Sequence, residues 1–151
     1  MIRTLFILLS IISVSFVSCS NNNDPITISN AWVREPPPGA SITAAYMSIQ
    51  TKADDKLIGI ETNIADKAEI HSSTVNDQGM VKMQMLNSVD IPSGKPVEFK
   101  PGGTHIMLIE LNRQLKNNDE VKIILEFEKL GLKEVAAQVR GLDYKKKKHD
   151  H

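Results

Sequence analysis

Apolar and polar residues alternate in short segments along most of this chain, with the two-residue period of a half-buried β-strand. The clearest case runs from Val121 to Lys129, where the alternation continues on either side of Ile124. No stretch combines the length of a helix with its period. The pattern predicts nine strands: Ile26 to Ser29, Ala44 to Gln50, Leu57 to Thr62, Ala68 to Val75, Met80 to Leu86, Val97 to Lys100, His105 to Leu111, Val121 to Lys129 and Glu134 to Arg140.

Turn-forming residues separate these segments. Runs rich in Pro, Gly and Asn fix φ near the value of proline or allow φ to be positive, as turns require. They are residues 36–39, 77–79, 92–94, 101–103 and 117–119. Short strands joined by closely spaced turns are typical of an antiparallel β-sandwich or barrel. We therefore predict one all-β domain over residues 26–143.

The first 18 residues read as a targeting segment and not as part of the fold. Arg3 supplies a positive start, and the apolar run from Leu5 to Val17 is shorter than the roughly 20 residues that a spanning helix needs. The pattern predicts an export signal over residues 1–18. Cys19 follows directly, and a polar stretch over residues 20–24 comes after it.

Cys19 is the single cysteine of the chain, so an intramolecular disulfide is impossible. Its position after Phe16-Val17-Ser18 resembles a bacterial lipobox, which implies that Cys19 becomes the lipidated first residue of the mature protein. Residues 19–25 would then link a membrane anchor to the domain. Simple cleavage nearby, with a free thiol left at Cys19, is the alternative.

The charges exclude some classes of partner. Lys and Arg number 18, Asp and Glu number 18, and the formal net charge is +0, so nothing indicates nucleic acid. Residues 144–151 form a charged, flexible tail in this interpretation. Its His149 and His151 are candidates for weak Cu(II) binding.

Four residues suggest a metal site: His71, Met83, His105 and Met107, on three predicted strands. Thioether sulfur is a soft ligand, and combined with imidazole it favours copper, above all Cu(I). His105 and Met107 stand two apart and therefore share one face of their strand. They follow the turn at residues 101–103, which predicts a position at an end of the sheet, near solvent.

Each ligand also has an ordinary interpretation, because histidine is often a polar strand residue and methionine often fills a core. Met85 shares the predicted face of Met83 and is an auxiliary candidate, whereas Met47 is expected in the core. An electron-transfer copper site would need a cysteine thiolate, and Cys19 is assigned to the anchor. No arrangement of nucleophile, acid and base stands out, so we do not expect an enzyme.

The spacing of the candidate ligands resembles that of the PCu(A)C family of periplasmic copper chaperones. Ten residues lie between Ser72 and Met83, twenty-one between Met83 and His105, and one between His105 and Met107. Lys100 to Leu108 resembles the most recognisable stretch of that family, and the resemblance extends back to Ala31-Trp32-Val33-Arg34. Ser72 departs from the methionine or glutamate of many members.

The resemblance implies a cupredoxin-like, Greek-key β-sandwich that binds one Cu(I) per chain. It also implies delivery of the ion to the copper subunit of cytochrome c oxidase or to a Sco-type copper protein. The expected location is the periplasmic side of the cell envelope, with a lipid anchor on Cys19. A metal-free exported sandwich used for adhesion or scaffolding is the alternative, and Cu(I) would leave its melting temperature unchanged.

Overall fold

The structure, a computed structural model, describes residues 24–141. The all-β prediction is confirmed, because this range contains ten strands and no helix. Consistently, the described residues include no helix of the length and apolarity that crossing a membrane requires. The strands are β1 (Ile26–Arg34), β2 (Ile42–Thr51), β3 (Asp55–Thr62), β4 (Ala65–Val75), β5 (Val81–Leu86), β6 (Val89–Ile91), β7 (Val97–Phe99), β8 (Thr104–Leu111), β9 (Glu120–Phe127) and β10 (Gly131–Arg140).

All nine predicted strands are present, and β6 is the one that the pattern missed. The first strand is longer than predicted: it continues past Ser29 to Arg34. Asn30 lies inside it with a positive φ of 54°, and the register with β2 shifts between Ser29 and Trp32. This irregularity interrupts the two-residue alternation, which explains why the pattern predicts too early an end for the strand.

The strands form one hydrogen-bonded sheet in the order β5-β4-β8-β2-β1-β10-β9-β3-β6, and β7 pairs with β2 beside this path. Neighbours run antiparallel, with one exception: β1 and β10 are parallel. Side chains from both halves of the sheet meet in a single core. The architecture is the expected cupredoxin-like β-sandwich.

The core contains many of the apolar positions of the predicted strands, whereas others, such as Val75 and Val81, are exposed. Met47, Phe99 and Phe127 are among its largest buried side chains, so the core assignment of Met47 is confirmed. Ile106 and Leu108 belong to it as well, and they alternate along β8 with the two candidate ligands of that strand. Burial of one face of β8 therefore directs His105 and Met107 to the opposite face.

Several predictions concern residues beyond this range. The export signal at residues 1–18, the lipidation of Cys19 and the tail at 144–151 with His149 and His151 all lie outside the described residues. They remain predictions, as do the domain boundaries at residues 26 and 143.

Candidate metal centre

Three adjacent strands at one end of the sheet carry the predicted ligands. β4 lies between the edge strand β5 and the inner strand β8. On β4, His71 is directly opposite His105 of β8, and Glu69 is directly opposite Met107. Directly opposed residues of an antiparallel pair project from the same face of the sheet. The two histidines, Met107 and Glu69 therefore share one face.

The methionines of β5 project from this face too. Met85 is directly opposite His71, and Met83 is directly opposite Ser73. Both thioethers are about half exposed, at 51% for Met83 and 55% for Met85. Register alone therefore leaves either methionine able to approach the histidines.

The two methionines line different surface cavities. A cavity of about 350 Å³ is lined by Met83, His105 and Met107, together with residues that include Arg34 and Tyr46. Met85 lines a different cavity of about 140 Å³, shared with Glu69. His71 does not line the first cavity, but its ring centroid lies 6.1 Å from that of His105, which does. Met83 is thus the methionine of β5 that faces a space shared with the two ligand candidates of β8.

Hydrogen bonds fix the orientation of both imidazoles. His105 is only 6% exposed, and its Nδ1 donates to the Gly103 carbonyl oxygen at 2.9 Å. His71 Nε2 donates to the Glu69 carboxylate at 2.8 Å. Among the described residues, His71 Nδ1 is buried and has no hydrogen-bond partner. One nitrogen of each ring thus donates a hydrogen bond to an oxygen. The other nitrogen is free to accept a hydrogen bond or to bind a metal through its lone pair.

The donor set fits a soft monovalent ion. An imidazole nitrogen binds a metal at about 2 Å, which places the ion about 3.2 Å from the ring centroid. Two imidazoles on one ion therefore have centroids no more than about 6.4 Å apart. The 6.1 Å between the rings of His71 and His105 lies within that limit. Neutral imidazoles with thioethers are ligands that suit Cu(I).

An aromatic and cationic wall borders the cavity. The Tyr46 ring lies 4.5 Å from the ring of Trp32, and the Arg34 guanidinium lies 5.6 Å from the Tyr46 centroid. Burial raises the pKa of Tyr46, against the opposing effect of the Arg34 charge. A neutral, packed phenol gives this side of the cavity an apolar and rigid surface.

Sequence reasoning missed Glu69 and the Gly103 carbonyl as partners of the histidines. Glu69 could have been found, because it stands two residues before His71 and so shares its face. The same rule pairs His105 with Met107. The backbone carbonyl gives no sequence signal, since it depends on how the turn at residues 101–103 enters β8.

Comparisons with known proteins agree with this fold. A family model described as "Putative lipoprotein LpqE-like" matches residues 26–139. The protein named "Putative lipoprotein Lxx21020" from Leifsonia xyli subsp. xyli is 29% identical over 120 residues, which cover 78% of this chain and 70% of that protein.

Solved structures are similar over most of the chain. The copper-bound PCuAC domain of PmoF2 has a TM-score of 0.65 at 23% identity, covering 78% of this chain and 93% of that domain, a likeness of fold. Cu(I)-bound DR1885 from Deinococcus radiodurans is 32% identical with a TM-score of 0.58, covering 73% of this chain and 74% of that one. Its apo form is 28% identical with a TM-score of 0.61, covering 93% and 97%. With a family model across most of its length and DR1885 among its relatives, the chain belongs to the LpqE-like family of PCu(A)C-type proteins.

Proposed function

We propose that this protein is an exported copper chaperone that binds one Cu(I) per chain through His71, Met83, His105 and Met107. One observation carries the proposal: two imidazoles and two thioethers project from the same face of three adjacent strands, beside an open cavity. The Cu(I) form of DR1885, a relative within the same family, supports the choice of metal.

The four ligands suit the monovalent ion better than the divalent one. Cu(II) prefers tetragonal nitrogen and oxygen ligands, so oxidation of the bound ion should loosen the site. Binding also requires both imidazoles in their unprotonated form, whereas thioethers take up no proton. The affinity for Cu(I) is therefore expected to decrease as the pH is lowered.

Release is favoured by the position of Met83. Its side chain is half exposed on the edge strand, and the ligand set contains no thiolate that would hold copper tightly. A thiolate or thioether of a recipient could displace Met83 first and then take over the ion. The proposed recipient is the copper subunit of cytochrome c oxidase or a Sco-type copper protein, an assignment that rests on the family resemblance.

A direct test is anaerobic titration of the purified protein with Cu(I) in competition with a chromophoric chelator. The wild type should take up one tight equivalent. Alanine substitution of each proposed ligand should weaken Cu(I) binding by at least tenfold. Even the loss of a residue that only contacts a metal ligand commonly costs tenfold or more. Met80→Ala is the matched control, because Met80 is exposed at 57% and precedes β5. Absence of tight binding by the wild type would favour the metal-free scaffold.

Transfer is a separate test. Cu(I)-loaded protein would be mixed anaerobically with an apo Sco-type protein or an apo oxidase copper domain, and copper would be measured on each after separation. Movement of the ion to one of them identifies the recipient. If the protein keeps its copper in the presence of the Sco-type protein and of the oxidase domain, delivery to this pathway is contradicted. The proposal that it binds Cu(I) would be unaffected.

We further propose an envelope location, on the periplasmic side, with lipid on Cys19. The lipoprotein descriptions of the family and of the Leifsonia relative support an exported, lipidated protein. Mass spectrometry of the membrane fraction should find a mature chain that begins at a lipid-modified Cys19. An unmodified Cys19 in the mature chain would overturn the anchor. Weak Cu(II) binding by His149 and His151 would be tested on a chain truncated after residue 148.

A further inference from the structure

We propose that Glu69 is a positioning residue that locks His71 in one tautomer, so that His71 binds copper through Nδ1 whereas His105 binds through Nε2. The inference rests on the proposed function for the identity of the metal. The tautomers themselves are properties of the protein without copper, and they can be measured separately.

The first step concerns the nitrogen of His71 that is already occupied. A carboxylate can only accept a hydrogen bond, so the 2.8 Å contact between Glu69 and Nε2 requires that Nε2 carry the proton. In a neutral ring, Nδ1 is then the unprotonated nitrogen. Only an unprotonated nitrogen has the lone pair that a metal needs.

The second step concerns the free nitrogen. His71 Nδ1 is buried, and no described residue forms a hydrogen bond with it. Buried polar atoms in folded proteins almost always have a partner, so an orphan of this kind indicates a ligand. A metal ion on the shared face would provide that partner.

His105 provides the contrast. A carbonyl also only accepts, so the 2.9 Å contact with Gly103 requires the proton on Nδ1 and leaves Nε2 as the donor to a metal. The two rings are directly opposite in register, with centroids 6.1 Å apart. Opposite tautomers thus let two facing imidazoles offer one lone pair each, with the second nitrogen of each ring anchored to an oxygen. Such outer partners are a common means of orienting metal-binding histidines.

Glu69 also changes the charge of the site. The four proposed ligands are neutral, so bound Cu(I) would leave a positive charge on this face. The Glu69 carboxylate contacts one ligand and stands directly opposite another, Met107. It therefore offsets that charge without occupying a coordination position of its own.

The tautomers can be read by ¹⁵N–¹H correlation spectra of the histidine side chains, on protein purified in detergent from the membrane fraction. Without copper, His71 should show a protonated Nε2 and His105 a protonated Nδ1. On anaerobic addition of Cu(I), the large ¹⁵N shifts should occur at Nδ1 of His71 and Nε2 of His105. A copper-induced shift at Nε2 of His71 would overturn the proposal.

Variants of Glu69 test the positioning role. Glu69→Leu removes the acceptor and should weaken Cu(I) binding about ten- to a hundredfold, with the His71 spectrum changing to mixed tautomers. Glu69→Gln keeps an acceptor oxygen, so it should recover part of the Cu(I) affinity and part of the preference for one His71 tautomer. The matched control is Glu110→Gln on β8, since Glu110 pairs with Lys67 at 3.1 Å on the same two strands.

The outcomes separate the two proposals. If the wild type binds no Cu(I) while the tautomers are as stated, the copper function fails and the locking by Glu69 stands. If Glu69→Leu binds Cu(I) as tightly as the Glu110→Gln control, Glu69 has no positioning role, although the copper site remains. A fold control is given by the melting temperature of each variant without copper.

Discussion

At the scale of single residues, the sharpest distinction is between Met83 and Met85. The register brings Met85 directly opposite His71, yet the cavity that contains His105 and Met107 includes Met83. We predict that Met83→Ala lowers the affinity for Cu(I) by at least tenfold, since a soft ligand is lost. Met85→Ala should change the affinity far less, because Met85 lines a different cavity from His105 and Met107. Competition titration of the two variants measures both.

The two methionines are well matched for this comparison. They lie on one strand, point to the same face and are similarly exposed. A general effect of losing a surface thioether would weaken binding equally in both variants. Equal losses would indicate that general effect and contradict the assignment to Met83, whereas a larger loss with Met85→Ala would transfer the ligand role to Met85.

Sequence reasoning goes furthest at this scale when a residue type carries its own chemistry. Thioethers and imidazoles at the spacing of Met83, His105 and Met107 identify a candidate copper site from the amino-acid sequence alone. The role of Glu69 is less visible, because a glutamate on a strand is commonly a solvated surface residue. Glu69 is distinguished from such residues by its 2.8 Å contact with His71. That contact depends on side-chain orientation, which the sequence does not specify.

At the scale of elements, Asp55 connects the start of β3 to the turn between β9 and β10. It is 7% exposed and accepts backbone hydrogen bonds from Lys56 at 2.7 Å, Lys129 at 2.9 Å and Leu130 at 3.0 Å. Asp55→Ala leaves these donors without their acceptor, at a cost of about 2 kcal/mol. Urea denaturation at neutral pH should show this loss. The control Asp90→Ala removes an exposed ion pair with Lys56 and should cost less than about 1 kcal/mol.

The contribution of Asp55 also depends on pH. Burial raises the pKa of its carboxyl, but the three backbone donors outweigh this effect and hold the pKa below its ordinary value. A lowered pKa in the folded state means that the stabilisation is fully present above about pH 4. It is lost as the pH falls through the lowered value. The stability difference between wild type and Asp55→Ala should therefore shrink as the pH falls below about 4, and a constant difference would contradict the assignment.

The alternation of apolar and polar residues predicts elements better than it predicts their partners. It locates nine strands, most of which turn one face to the core, although β5 is exposed along nearly its whole length. It misses β6, which has only three residues, Val89–Ile91. It also gives no sign that β1 and β10 pair in parallel, since a two-residue period fixes the face of a strand and not its neighbour.

Copper should change the two edge strands differently. β5 is one edge of the sheet and carries Met83, whereas β6 is the other edge and carries none of the proposed ligands. A Cu(I) ion held by Met83, His71 and residues of β8 would fasten β5 to its neighbours. Amide hydrogen exchange in β5 should slow on Cu(I) addition, with β6 unchanged as the internal control. Equal protection at both edges would indicate a general stabilisation instead of a local one.

At the scale of the whole molecule, the proposed site joins strands that are distant in sequence. His71 and His105 meet only because β4 and β8 pair, so an unfolded chain cannot present all four ligands in one place. Cu(I) should consequently bind the folded state far more tightly than the unfolded one. Any such preference appears as added stability of the entire domain.

We therefore predict that Cu(I) raises the melting temperature of the domain. A free concentration about 100 times the dissociation constant stabilises the folded state by about 2.7 kcal/mol. For a domain of about 100 residues this corresponds to a rise of roughly 10 °C. Anaerobic calorimetry with and without Cu(I) measures the rise, and Met107→Ala should largely abolish it. An unchanged melting temperature for the wild type would instead support a metal-free exported sandwich, because binding to the native state alone must shift the unfolding equilibrium.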